Sequence, residues 1–243
     1  MKSILSTKRL TPSQKNLILG AGFSLVEYDA IDIEFADFKL PQRLEHLIFT
    51  SKNAVKAFLK KIRETKAVNN SIRNTEMLLS APDNSGVENY KCFCIGPKTE
   101  TLLVNNGFEV IKSALNAKEL AYFITEKYNK EHFSFFCGAS RRAELPQILK
   151  EHSVSFEEIK VYNTLLNSMS FKQHFDALLF FSPSGVQSFI ANNHLKNTLA
   201  VCIGSTTAAE AQKHTANFTI ANDTTIESVI ARAVKALNKQ TLD

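Results

Sequence analysis

Short apolar runs recur along this chain. Each is closed by a small polar turn and followed by a stretch in which apolar residues return every three or four positions. "LIFTSKNAVKAFLK" (47–60) and "LLFFSPSGVQSFIA" (178–191) show the unit whole: strand, turn, amphipathic helix. The runs "LIFTS", "CFCIG", "LLFFS" and "AVCIG" are almost continuously apolar, as strands covered on both faces must be. Such strands alternating with helices predict open, parallel α/β sheets.

The units also repeat. Ser51 aligns with Ser182, Asn53 with Ser184, Val55 with Val186 and Phe58 with Phe189, each pair 131 positions apart. Further on, Gly96 aligns with Gly204 and Thr99 with Thr207, now 108 apart. The smaller offset places extra residues in the first copy, and the polar stretch 66–89 reads as that insert, a loop with room for a short helix. A looser third pair joins the segment from Lys2 to the one from Phe133, each reading strand, polar turn, helix, second strand. Each half of the chain is then strand, helix, strand, strand, helix, strand, helix, strand, helix. With 243 residues, two domains fit better than one, and the repeat alone leaves open whether they are contiguous or interleaved.

Composition narrows the function classes. The formal charge of +5 favours an anionic partner only mildly, and no basic, aromatic-interleaved stripe points to nucleic acid. The first residues hold too short an apolar run for a secretory signal, and no run reaches membrane-spanning length, so a soluble cytoplasmic protein is expected. Cys92, Cys94, Cys137 and Cys202 sit in apolar runs without metal-site spacing and read as reduced structural thiols, with Cys92 and Cys94 placed on opposite faces of one strand. The six histidines are scattered and read as solvated surface residues.

Candidate chemistry gathers where strands run out. In open α/β sheets ligands bind beyond the carboxyl ends of the strands. The chain places there Thr50, Ser51 and Asn53; Gly96, Lys98 and Thr99; Gly138, Ser140 and Arg141; Ser182, Ser184 and Gly185; and Ser205, Thr206 and Thr207. Each turn opens a helix, whose exposed N–H groups and positive dipole end suit carboxylates or phosphates. A plainer role, helix N-capping, is open to each Ser, Thr and Asn alone. No phosphate loop, dinucleotide glycine motif or Ser/His/Asp set is present.

The motifs "IFTSKNAV" and "CIGPKT", then "VYNT", then "FFSPSGV" and "CIGSTTAAEA", resemble in order and spacing those of the uroporphyrinogen-III synthase family, and the likeness runs nearly the whole chain. The resemblance implies two open flavodoxin-like α/β domains joined by two extended linkers. The first domain would be discontinuous, 1–30 plus 166–243, the second 36–159, with linker strands at 31–35 and 160–165. It also implies a carbon–oxygen lyase that closes hydroxymethylbilane into uroporphyrinogen III with loss of water and inversion of the last pyrrole, in haem biosynthesis, as a monomer with no cofactor and no metal. Tyr162 of "VYNT" matches the family's bridge tyrosine, expected to help the hydroxyl leave. The turns above would hold the carboxylates, with Lys98, Arg141 and Arg142 the nearest cations.

One departure stands out: "STKRL" follows the first strand where members often carry Thr-Arg-Pro, so Ser6, Thr7 and Arg9 are left out of the site. Two other readings compete. A hinged, non-catalytic binder of small anions would explain the duplication and the helix-start turns but not "VYNT". A phosphorylatable regulator would need acidic residues where "LSTKRL" is basic.

Overall fold

The computed structural model describes residues 1–73 and 90–239. It divides into two compact units, one made of Met1–Asp32 and Leu165–Asp243, the other of Ile33–Thr164.

The first unit holds strands β1 (Ser3–Ser6) and β2 (Ser24–Glu27) with helix α1 (Pro12–Leu19) between them. The chain then passes through β3 (Ile31–Phe35) into the second unit: β4 (His46–Phe49), α2 (Lys52–Arg73), β5 (Lys91–Ile95), α3 (Pro97–Val104), β6 (Glu109–Ala114), α4 (Ala117–Lys127), β7 (His132–Gly138), α5 (Glu144–Glu151) and β8 (Ser155–Leu166). It returns to the first unit for β9 (Ala177–Phe180), α6 (Pro183–Ile190), β10 (Leu199–Cys202), α7 (Ser205–Ala211), β11 (Phe218–Ile220) and α8 (Ile226–Lys239). The order of elements from β7 to α8 is the one expected for a repeat half. In the first half a break at Tyr28-Asp29-Ala30 separates β2 from β3, where the second half has the single twelve-residue strand β8.

The sheets run β11-β10-β9-β1-β2 and β3-β8-β7-β4-β5-β6, and every pairing from β11 to β2 and from β8 to β6 is parallel. In each sheet the chain leaves the middle in both directions. β9, β10 and β11 step one way and β1, β2 the other; β4, β5 and β6 step one way and β7, β8 the other. The switch points therefore lie between β9 and β1 and between β4 and β7, where ligands bind in such sheets.

Each sheet is buried on both faces. Along β9, Ala177 and Leu179 enter one core and Leu178 and Phe180 the other. Along β4, Leu47 and Phe49 face one core and Ile48 its opposite. Helix α8 places Val229, Ile230, Ala233 and Leu237 on one apolar stripe against the sheet.

Two expectations need correction. Cys92 and Cys94 share one core while Phe93 enters the other, because side chains two apart in a strand point the same way. His46 is a core residue, 8% exposed and surrounded by the rings of Phe93, Tyr128 and Phe133. Within the stretch 66–89 read as an insert, α2 continues through Arg73; positions 74–89, and the reading of a loop there, lie outside the described residues.

Candidate active site at a strand switch point

A cleft of about 390 Å³ opens at the switch point of the second unit. β4 ends at Phe49, and Thr50 and Ser51 make the turn into α2 on one side of it. β7 ends at Gly138, and the following loop brings Arg141 and Arg142 to the other side. Tyr162 enters from β8 because Gly138 pairs with it, after a bulge that shifts the register at Cys137/Gly138.

The tyrosine is fixed by its neighbours. Its carbonyl accepts the Ala139 N–H at 2.9 Å. Its ring lies over Gly138 so closely that a Cβ there would come 2.7 Å from Cζ and 2.9 Å from the phenol oxygen. Only a residue without a side chain lets the ring lie there. Ser51 Oγ stands 3.1 Å from the phenol oxygen and donates to it, while accepting the Ala54 N–H at 3.2 Å to close the first turn of α2.

The electrostatics of the cleft differ from the sequence expectation in one respect. Arg141 is ion-paired with Glu158, through both Nε and a terminal guanidinium nitrogen, and also donates to the Arg142 carbonyl. Much of its charge is thus matched inside the protein. Burial, with the Glu158 carboxylate adding to it, pushes the Cys137 thiol up to about 11. Burial likewise raises Cys92, Cys94 and Cys202, the last to about 12, so the thiols are inert packing groups.

Of the residues expected at this site, the cleft brings together Thr50, Ser51, Gly138, Arg141 and Tyr162. Asn53, Gly96, Lys98, Thr99 and Ser140 do not line it. Gly96 holds a left-handed backbone at the start of α3 (φ 83°), Lys98 is exposed, and Thr99 is buried. In the first unit Ser182 caps α6 by accepting the Gly185 N–H at 3.1 Å, Ser184 is half-buried beside it, Ser205 and Thr206 are exposed on α7, and Thr207 is buried. Thr99 and Thr207, which match in the repeat, are thus both buried.

The sequence reading missed three groups. Thr7, set aside with "STKRL", sits at the first unit's own switch point: its hydroxyl donates to the Leu179 carbonyl at 2.7 Å, and a Cβ on Gly185 would touch it at 3.4 Å. Glu158 is the partner of Arg141. Asn116 lines the cleft as the cap of α4, accepting the Glu119 N–H at 2.9 Å; "NAKE" carries the helix-start signal that marks it. At the other end of β9, His174 and His194 meet Lys172 and Lys196 around a second cleft of about 240 Å³. Among the described residues no group of three or more His, Cys, Asp or Glu side chains could hold a metal ion, and no helix is long and apolar enough to cross a membrane.

Two α/β sheets of equivalent strand order, one with a tyrosine-lined cleft at its switch point, define a two-unit α/β protein of the open-sheet class. The family model described as uroporphyrinogen-III synthase HemD matches residues 14–231, and the chain belongs to that family. The porphyrin biosynthesis protein HemD of Ruminiclostridium josui is 25% identical over 203 residues, a match taking in 78% of this chain and 37% of that protein. The chain thus spans little more than a third of the length of that curated relative. The crystal structure of uroporphyrinogen-III synthetase from Helicobacter pylori 26695 is similar in fold, with a TM-score of 0.70 at 21% identity, over 97% of this chain and 100% of that one. A mutant uroporphyrinogen III synthase from the extremely thermophilic bacterium Thermus thermophilus gives a TM-score of 0.62 at 13% identity, over 98% and 100% of the two chains.

Proposed function

We propose that this protein is a uroporphyrinogen-III synthase, a hydro-lyase that converts hydroxymethylbilane to uroporphyrinogen III. In the proposed reaction the terminal C–O bond breaks with electrons supplied by a pyrrole nitrogen, the hydroxyl leaves as water, and the ring closes through a spiro intermediate with the last pyrrole inverted. The observation that carries the reading is the position of Tyr162, held over Gly138 at the switch-point cleft of a chain that belongs to this family.

The chemistry asks little of the protein beyond a proton and a shape. Tyr162 hydrogen-bonds to the departing hydroxyl and assists its loss as water. The larger task is to hold a flexible chain so that inverted closure outruns direct closure. The bilane's carboxylates are met by Arg141, Arg142, Thr50 and the N–H groups that begin the helices. In the first unit Ser182, Ser184, Gly185, Ser205 and Thr206 belong to the same proposal. It further includes a cytoplasmic monomer using neither cofactor nor metal, with no nucleic-acid or membrane partner. Binding of a polyanion by such groups weakens as salt rises.

The test is to incubate the purified protein with enzymatically generated hydroxymethylbilane and resolve the oxidised porphyrins by isomer. Type III product is expected. Type I alone, from protein shown to be folded, would leave a non-catalytic binder of anions as the better account.

A further inference from the structure

Ser51 falls among the residues expected to bind substrate, yet its hydroxyl is already engaged on both sides. Its oxygen accepts the Ala54 N–H at 3.2 Å, and its one hydrogen goes to the Tyr162 phenol oxygen, 3.1 Å away. It cannot donate to a substrate carboxylate without releasing the tyrosine. The phenol, having accepted from Ser51, keeps its own single hydrogen for the cleft that the ring lines.

The backbone supports this direction. The ring is held against Gly138, and the Tyr162 carbonyl is tied to the Ala139 N–H at 2.9 Å. What remains free is rotation of the phenol O–H about its C–O bond, and the Ser51 hydrogen bond removes that freedom. The order Ala54 N–H, Ser51 O–H, Tyr162 O–H is a donor chain in which each bond polarises the next, and it starts at the positive end of α2.

We infer that Ser51 is a positioning residue, which aims the Tyr162 proton into the cleft and acts on the reaction only through that tyrosine. The inference rests on the synthase reading proposed above. It also assigns the turn between β4 and α2 a task other than carboxylate binding, leaving Thr50 and the arginines to meet the substrate.

The test is a double-mutant cycle on kcat and KM for type III formation, using Ser51→Gly, Tyr162→Phe and the pair together. Glycine is chosen because it is tolerated at a helix N-cap nearly as well as serine, so the hydroxyl is lost with little cost to α2. Ser51→Thr keeps both hydrogen bonds. Ser51→Gly is expected to lower kcat about 10-fold with KM within about 2-fold, Ser51→Thr to restore it, and Ser51→Gly to have no further effect once Tyr162 is phenylalanine. A tyrosine-ring 13C NMR signal, assigned by its loss in Tyr162→Phe from a chain with only five tyrosines, is expected to shift in Ser51→Gly and hold in Ser51→Thr. Equal losses of kcat in both backgrounds, a raised KM at unchanged kcat, or an unmoved signal would each overturn the inference while leaving the synthase reading intact. Wild-type protein that yields only type I product would overturn that reading, and this inference with it.

Discussion

The two sheets carry the same ladder at their switch points but equip it differently. Ile48 and Leu179 are 131 positions apart in the repeat. Ile48 pairs with Phe135, which pairs with Glu158; Leu179 pairs with Ser6, which pairs with Glu27. Glu158 and Glu27 are therefore equivalent, and each binds a cation that follows the preceding strand: Arg141 in the second unit, and Lys15 at 2.7 Å in the first. Lys15 lies within helix α1, whereas Arg141 lies in the loop that lines the cleft. Each switch point also has a glycine, at positions the repeat does not match: Gly185 falls on Ala54, and Gly138 ends β7. Gly138 is overlaid by a tyrosine ring, while Gly185 packs against the hydroxyls of Ser182 and Thr7. Duplication supplied one scaffold, and the tyrosine over glycine distinguishes the second unit's copy.

The sharpest way to break that contrast is a methyl group at each glycine. Gly138→Ala is expected to displace Tyr162, destabilise the protein by about 1–3 kcal/mol and cut turnover more than 10-fold, as read by denaturant unfolding and the isomer assay. Gly185→Ala should cost less than about 1 kcal/mol, because the contacts are at 3.4 Å and alanine favours the helix it joins. Equal effects at the two positions would mean that the ring over Gly138 has no special role.

The two glutamates give the next test. Removing either partner of these partly buried pairs is expected to cost about 1–2 kcal/mol. Only Glu158→Gln should also steepen the salt dependence of KM, since it alone frees a cation at the cleft. A similar change in Glu27→Gln would show that the cleft is not where the charge acts.

His46 and Ala177 are repeat equivalents, and they sharpen the comparison at the other end of the strands. Burial holds the His46 imidazole below its ordinary value of 6.5, against the smaller upward pull of Glu131. The unfolded chain thus takes up the proton first as pH falls below 6.5, and stability is lost in that window. His46→Ala, which copies the first unit, is expected to flatten this loss in unfolding measured from pH 8 to pH 5, values bracketing an ordinary histidine titration at about 6.5. The smallest effect concerns the thiols. At about pH 8, below even an unperturbed thiol's value, the native protein should leave its four cysteines unmodified by a thiol reagent, and unfolding should expose all four.

Much of the fold could be read from local pattern. A continuous apolar run, a polar cap and a return every three or four residues gave β4–α2 and β9–α6 in matching register, because all three signals sit within a few residues of one another. What depends on partners far along the chain was not legible. His46 reads as a surface histidine until Phe93, Tyr128 and Phe133 close around it. Arg141 reads as a free cation until β8 brings Glu158 against it. Thr7 reads as part of a basic loop until β9 supplies the Leu179 carbonyl. Tyr162 was singled out by "VYNT" alone, but its seat over Gly138 depends on a bulge that no local signal announces.

The central claim, that the second unit's switch point carries the proton donor, is tested most directly by kcat for type III formation at saturating bilane in Tyr162→Phe, with Ser182→Ala at the first unit's switch point as the control. The account predicts a fall of about 100-fold in the tyrosine variant, within the range of general acid catalysis, with KM little changed and a much smaller fall in kcat for Ser182→Ala. A Tyr162→Phe protein that turns over as fast as wild type with full type III specificity would contradict it.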